Sequence, residues 1–159
     1  MTFRLTSPSF AHEAEIPTKH TCEGADVSPA LAWEGLPAGT RSLALIVDDP
    51  DAPDPKAPQR VFVHWVVYDL PPSAKGLAEG ASTQLPPSAL QGKNDWKVRG
   101  YRGPCPPIGR HRYVHKLYAL DTVLPDLGEP DKGALERAME GHVVGQAVLI
   151  GTYEKQRAH

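Results

Sequence analysis

Apolar residues in this chain come in short runs cut by proline, glycine and charge. Residues 42–47 (Ser-Leu-Ala-Leu-Ile-Val) and 61–68 (Val-Phe-Val-His-Trp-Val-Val-Tyr) are apolar at consecutive positions. That pattern belongs to strands covered on both faces, and it predicts that these two lie in the middle of the fold. Residues 113–120 have the same β-rich character, and 3–6, 31–33 and 96–100 are shorter strand candidates. The stretch 71–94 is polar and proline-rich, which predicts a long irregular excursion over the surface. Near the end Asp131 caps a predicted helix over 132–139, with Leu135 and Met139 on one face and Gly141 as the stop. A closing strand over 147–153 and a frayed tail over 154–159 complete the reading.

Composition agrees with a β protein. The chain holds 17 Pro and 14 Gly in 159 residues, which excludes long uninterrupted helices almost everywhere. The expected fold is mainly β, an antiparallel sandwich with one or two short helices towards the C-terminus, formed by a single domain over 1–159. Lys and Arg number 17 against 19 Asp and Glu, for a net charge of −2, and the signs are mixed, so nothing predicts nucleic-acid binding. No run approaches the ~20 apolar residues of a membrane span, and no secretory leader is apparent, so the expected location is the cytoplasm. Cys22 and Cys105 lack metal-ligand spacing. Cytosolic disulfides are rare, so they are expected to be reduced thiols, with a bridge between them as the alternative.

The candidate chemistry sits in two proline-stiffened segments. One is Asp48, Asp49, Pro50, Asp51, Ala52, Pro53; the other runs from Gly103 through Pro104, Cys105, Pro106, Pro107 and Ile108 to Gly109, just before His111, Arg112 and Tyr113. Proline fixes φ and extends the residue before it, so the acids and rings are held on backbone with little freedom to lose on binding. Strand alternation puts His111, Tyr113 and His115 on one face and Asp49 on the face of Leu43, Leu45 and Val47, where its carboxylate needs a donor. His64, inside an apolar run, needs a hydrogen-bond partner or a ligand. Trp33, Trp65 and Trp96 are expected in the core or a pocket wall. Arg110 and Arg112 are expected at the surface, with Asp48 a possible partner for Arg112.

Taken in order, Asp49, Pro50, Asp51, Ala52 and Pro53, then His64 and Trp65, then Gly100, Tyr101, Gly103, Pro104, Pro106, Pro107, Gly109, His111, Arg112 and Tyr113 resemble the signature of the phosphatidylethanolamine-binding protein family, also called Raf-kinase-inhibitor-like. Thr21, Cys22, Ser28, Pro29, Trp33 and the helix-then-strand ending resemble its short bacterial and archaeal branch. The resemblance implies a sandwich with an anion pocket at one end, built from Asp49, Pro50, Asp51, Pro53, His64, Gly109, His111 and Tyr113. It also implies a cis bond at Ala52-Pro53, a homodimer, and ligands such as phosphate or phosphoethanolamine in a regulatory or ligand-sensing role. The longer N-terminal region and C-terminal helix of animal members are missing.

Such a pocket joins acceptors to donors. Aspartates would accept from an acidic OH or ammonium group while imidazole N–H and tyrosine O–H donate to the anion, so binding is expected to be tighter at pH 6 than at pH 8. No metal and no cofactor is expected, and the partner is a small anionic or phosphorylated ligand without nucleic acid or stable membrane insertion. An alternative is an enzyme in which Asp49 or Asp51 orients His64 or His111 as a base; Cys105 lies six residues before His111 but has no obvious oxyanion donors. A facial two-histidine, one-carboxylate metal site is another, and a module docking a phosphorylated protein a third.

Overall fold

The computed structural model describes residues 2–155. In chain order its strands are β1 (Arg4–Thr6), β2 (Leu31–Glu34), β3 (Ser42–Ala52), β4 (Arg60–Leu70), β5 (Gly76–Leu77), β6 (Leu90–Gln91), β7 (His111–Leu120) and β8 (Val143–Tyr153), with helix α1 (Lys132–Met139) before β8. They form two antiparallel sheets, one in the order β1-β2-β5 and one in the order β6-β4-β3-β7-β8. The large sheet is therefore organised around β3 and β4, the two runs that are apolar on both faces.

The reason for that double apolarity lies on either side of the sheet. Leu43, Leu45, Val47, Trp65 and Val67 point inward with Leu5 and Trp33 of the small sheet, while Ala44, Ile46, Val66 and Tyr68 point outward beneath Leu135 and Met139 of α1. The helix forms as its sequence predicts. Asp131 Oδ1 accepts the Ala134 N–H at 2.8 Å, and Gly141 takes a φ of 80° just past the end. Asp131→Ala is expected to cost about 1 kcal/mol of stability, measurable by urea denaturation.

Three expectations change. Residues 96–100 are not a strand but a turn: Asn94 Oδ1 accepts N–H from Trp96 at 2.9 Å and Val98 at 3.4 Å, and Lys97 takes a φ of 66°. A single polar side chain here outcompetes a sheet partner. The excursion 71–94 carries β5 and β6 as short pairings. The first acid-bearing segment is not a loop, because β3 continues through it to Ala52. Of the expected tail, 156–159 lie outside the described residues. No helix among the described residues is long and apolar enough to cross a membrane.

The ladder between β3 and β4 slips at two places that matter for chemistry. Val47 faces Trp65 but Asp48 faces Val63, so His64 is an extra residue in its strand. Asp49 faces Phe62 but Ala52 faces Arg60, so β3 carries an extra residue in turn. Bulges of this kind redirect side chains beside binding sites.

Candidate functional site

Beyond Trp65 and Val67 on the inner face, strict alternation would send His64 outward. The bulge instead leaves His64 and Trp65 both facing in, and from there Arg60, Phe62 and His64 share one face and line one cavity of about 390 Å³. Asp49, Pro53, His111 and Tyr113 line the same cavity, as do Trp96 and Arg102. The second bulge has the opposite effect on Asp51. Alternation would place it beside Asp49, but its carboxylate turns to Arg112, with Oδ1 2.8 Å from Nη2 and Oδ2 3.0 Å from Nε and 2.8 Å from the Arg112 backbone N–H. This pairing holds the Asp51 carboxyl below its usual range. Arg112 thus pairs with Asp51 rather than Asp48, whose buried carboxylate takes Lys116 at 3.0 Å and Lys132 at 2.8 Å.

Of the eight residues proposed from sequence, Asp49, Pro53, His64, His111 and Tyr113 come together at the cavity, whereas Pro50, Asp51 and Gly109 do not line it. Gly109 takes a φ of 72° in the turn that presents the Ile108 carbonyl to His111. Gly103 lies so close to the His20 carbonyl that any Cβ would collide with it. The Ala52-Pro53 peptide is cis.

The polar floor differs from the expected set of imidazole donors. His64 is 3 % exposed and its Nδ1 donates to the Arg102 carbonyl at 2.7 Å. Burial depresses its pKa to about 4, so the ring is neutral near pH 7 and Nε2 is an acceptor. His111 spends both nitrogens on the protein. Nε2 donates to the Ile108 carbonyl at 2.9 Å, and Nδ1 lies 2.5 Å from Asp49 Oδ2. Asp49 Oδ1 accepts the Asp51 N–H at 2.7 Å, and burial pushes the Asp49 carboxyl up despite these bonds. One proton lies between His111 Nδ1 and Asp49 Oδ2, so the pair carries no net charge whichever atom holds it.

Tyr113 is the exception. It is 1 % exposed, and its buried hydroxyl lies beside the Asp49 carboxyl without a well-formed hydrogen bond to the protein. Burial, followed by the nearby Asp49 carboxyl, pushes its ionisation upward, so the group stays a neutral O–H. Aromatic edges build the wall beside it: His64 meets Tyr113 at 5.2 Å and Trp96 at 5.0 Å between ring centroids, and Phe62 meets Trp96 at 4.7 Å. Sequence reasoning missed Arg60, Phe62 and Arg102. For Arg60 and Phe62 the signal was their two-residue spacing from His64; for Arg102 there was none.

The cysteines form a further wall and correct an expectation. Cys22 and Cys105 are joined in a disulfide across a sequence separation of 83, tying the turn after His20 to the second proline segment. The reduced-thiol reading fails because folding brings the two chain segments together, as the Cys22 N–H to Pro104 carbonyl bond at 3.1 Å also records. Disulfides persist in oxidising surroundings, so these cysteines no longer argue for a reducing compartment. Cys105 is also removed as a candidate nucleophile. Thiol titration of the unfolded, unreduced protein is expected to find no free thiol, and two after reduction.

A model of the phosphatidylethanolamine-binding protein family matches residues 6–154. The chain belongs to this family. Among its relatives, a UPF0098 protein of the archaeon Methanothermobacter thermautotrophicus is 48 % identical over 154 residues, covering 95 % of this chain and 98 % of the relative. A UPF0098 protein of Chlamydia pneumoniae is 46 % identical over 152 residues, covering 96 % and 99 %. The solved structure of a phosphatidylethanolamine-binding protein homologue from Chlamydia trachomatis superposes with a TM-score of 0.89 at 42 % identity, over 98 % of this chain and 99 % of that one. YbcL of E. coli, described as a member of the mammalian family, gives 0.88 at 32 % identity over 98 % and 100 %. These relatives place the chain in the bacterial and archaeal branch, with the family's β-rich fold.

Proposed function

We propose that this family member binds small anionic or phosphorylated ligands, of the kind represented by phosphate and phosphoethanolamine, in the cavity bounded by Asp49, His64, His111 and Tyr113, and that it acts in ligand sensing or regulation. The observation that carries this reading is the Tyr113 hydroxyl, a buried polar group on the wall of a cavity that lies beside the Asp49 carboxyl but makes no well-formed hydrogen bond to the protein. Such a group costs free energy unless something satisfies it, and a ligand oxygen or N–H does so. The cavity volume lies within the roughly 300–1,000 Å³ range of small-molecule sites. An acid–base enzyme has less support, because His111 uses both ring nitrogens to hold its place and burial, which depresses the His64 pKa to about 4, makes that ring a weak base.

The test is titration calorimetry with phosphoethanolamine on the wild type and Tyr113→Phe. Loss of a hydrogen bond to a charged ligand, worth ~1.5–3 kcal/mol, predicts a roughly 10- to 100-fold weaker affinity in the variant. Equal affinity in the two proteins, or no binding at millimolar concentration, would refute the reading. The pH expectation changes with the geometry. His64 is neutral across pH 6 to 8, so it contributes nothing to any tightening over that range.

A further inference from the structure

The second proline segment is fastened by a covalent bond rather than by a sheet. Between Gly103 and His111 the chain belongs to no strand, and three of the residues 104–110 are prolines, which have no N–H to donate. Pro104 and Pro106 are buried, but Pro107 and Arg110 are exposed and Ile108 is 55 % exposed, so apolar packing fixes only part of the segment. The Cys22–Cys105 disulfide ties it to residues 18–26, with the Cys22 N–H donated to the Pro104 carbonyl at 3.1 Å beside it. The Ile108 carbonyl in turn accepts the His111 Nε2–H at 2.9 Å, so the segment positions that ring.

The two sides of the disulfide are anchored unequally. Residues 18–26 keep bonds of their own: Thr21 donates its N–H at 3.0 Å and its hydroxyl at 2.7 Å to the Thr18 carbonyl, and the Tyr101 hydroxyl donates to the His20 carbonyl at 2.7 Å. The Tyr153 hydroxyl of β8 donates to Glu23 Oε1 at 2.6 Å. At one end of the proline segment Asp26 Oδ1 accepts the Gly103 N–H at 2.8 Å and the His64 carbonyl accepts the Arg102 N–H at 3.2 Å; at the other, His111 enters β7 opposite Tyr153. Opening the disulfide therefore leaves 18–26 in place and frees 104–110 between two fixed ends. Cys22 is exposed and Cys105 half-buried, and exposed disulfides are the ones that exchange with thiols.

We propose that Cys22–Cys105 is a thiol–disulfide exchange site that clasps residues 104–110, and that a dithiol opens it in the folded protein. One thiolate of the dithiol attacks the Cys22 sulfur, the S–S bond breaks, and Cys105 leaves as a thiolate; the second thiol then attacks the mixed disulfide and releases Cys22. Two electrons pass from the dithiol to the two cysteines, the dithiol becomes a disulfide, and its two protons end on the cysteine thiols. Once freed, residues 104–110 withdraw the Ile108 carbonyl from His111, which keeps its Nδ1 contact with Asp49. The redox state of the surroundings thereby decides whether this wall of the molecule is fixed or loose.

Dithiothreitol is the probe, and no readout depends on a ligand. Thiol release from the folded wild type is expected within about an hour at ~1 mM dithiothreitol. About 1 M urea should raise its rate less than about threefold, whereas reduction that waited for global unfolding would accelerate about fivefold or more. A rise above about threefold, or thiols that appear only on denaturation, would overturn the proposal. In the reduced protein and in the Cys22→Ser, Cys105→Ser double variant, amide resonances should shift only at residues 18–26, 101–111 and those lining the cavity. The His111 Nε2–H signal should be lost, and trypsin should cut after Arg110 at least about tenfold faster. Because the bond spans a sequence separation of 83, melting is expected to fall by roughly 10 °C while the spectrum stays that of a folded protein. Should the double variant not fold, the reduced wild type decides alone. Shifts spread through α1 and the small sheet, a collapsed spectrum of the reduced wild type, or a His111 signal unchanged on reduction would equally overturn it.

Discussion

Acidification from pH 6.5 to 4 is expected to destabilise this protein by about 3 kcal/mol for each of two buried histidines, His64 and His115. Both rings are neutral in the fold because burial depresses their pKa to about 4 from an ordinary 6.5. A base whose folded pKa is depressed contributes stability that is complete above its unfolded pKa and is lost as pH falls through the folded one. The window is therefore 6.5 down to 4, with a slope of about 1.4 kcal/mol per pH unit for each ring. His20 shifts in the same direction, again through burial. Asp49 and Asp69 oppose them: burial raises both carboxyl pKa values, which gives stability that is present at low pH and lost as pH rises. The sum is of the order of a whole domain's stability, so acid unfolding should begin well above the pH at which carboxylates titrate. Urea midpoints at pH 7, 6, 5 and 4 measure it. His115→Gln should remove part of the slope, and a curve flat between pH 6.5 and 4.5 would contradict the neutral assignment.

The second large effect belongs to the Asp49–His111 pair. Both side chains are buried, and Asp49→Ala leaves His111 Nδ1 facing nothing and the Asp51 N–H without its acceptor. Removing one partner of a buried pair costs about 3–5 kcal/mol. For a chain of this length each kcal/mol corresponds to roughly 2–4 °C, so melting should fall by at least about 6 °C. A double-mutant cycle with His111→Ala isolates the interaction. A large coupling energy means the two residues act as one unit, and additive losses would mean that each is held independently. Asp51→Ala provides the contrast. Its partner Arg112 is largely exposed, so the pair is weakened by solvent and the loss should be clearly smaller.

The contrast between these two aspartates shows where sequence reading succeeds and where it stops. They are two residues apart in one strand, and the family resemblance assigned both to the pocket. In the fold one binds His111 inside the cavity and the other Arg112 outside it, because a single extra residue in β3 reverses the direction of everything beyond it. His64 shows the same effect in the other direction. A period counted from Trp65 sends it to the helix side, and the bulge returns it to the cavity with Phe62 and Arg60. A bulge is set by the register between two strands, and neither strand's sequence contains that register. Residues 96–100 failed for a related reason: a pentapeptide carrying the strand-forming residues Trp96 and Val98 becomes a turn when one asparagine side chain satisfies its backbone.

What the chain's own order of residues determined was the set of buried strands, the capped helix, the family and the segments that carry the chemistry. Those follow from local preference and from which residues avoid water, and both are properties of neighbours in sequence. Only the tertiary structure decided which of the chosen polar groups meet, that Cys22 and Cys105 are bonded, and that the histidines reach the site with their protons already given away. Hydrogen-bond capacity is finite, and whether His64 and His111 still have any to offer a ligand depends on partners 38 and 62 residues distant in the chain as well as on near ones.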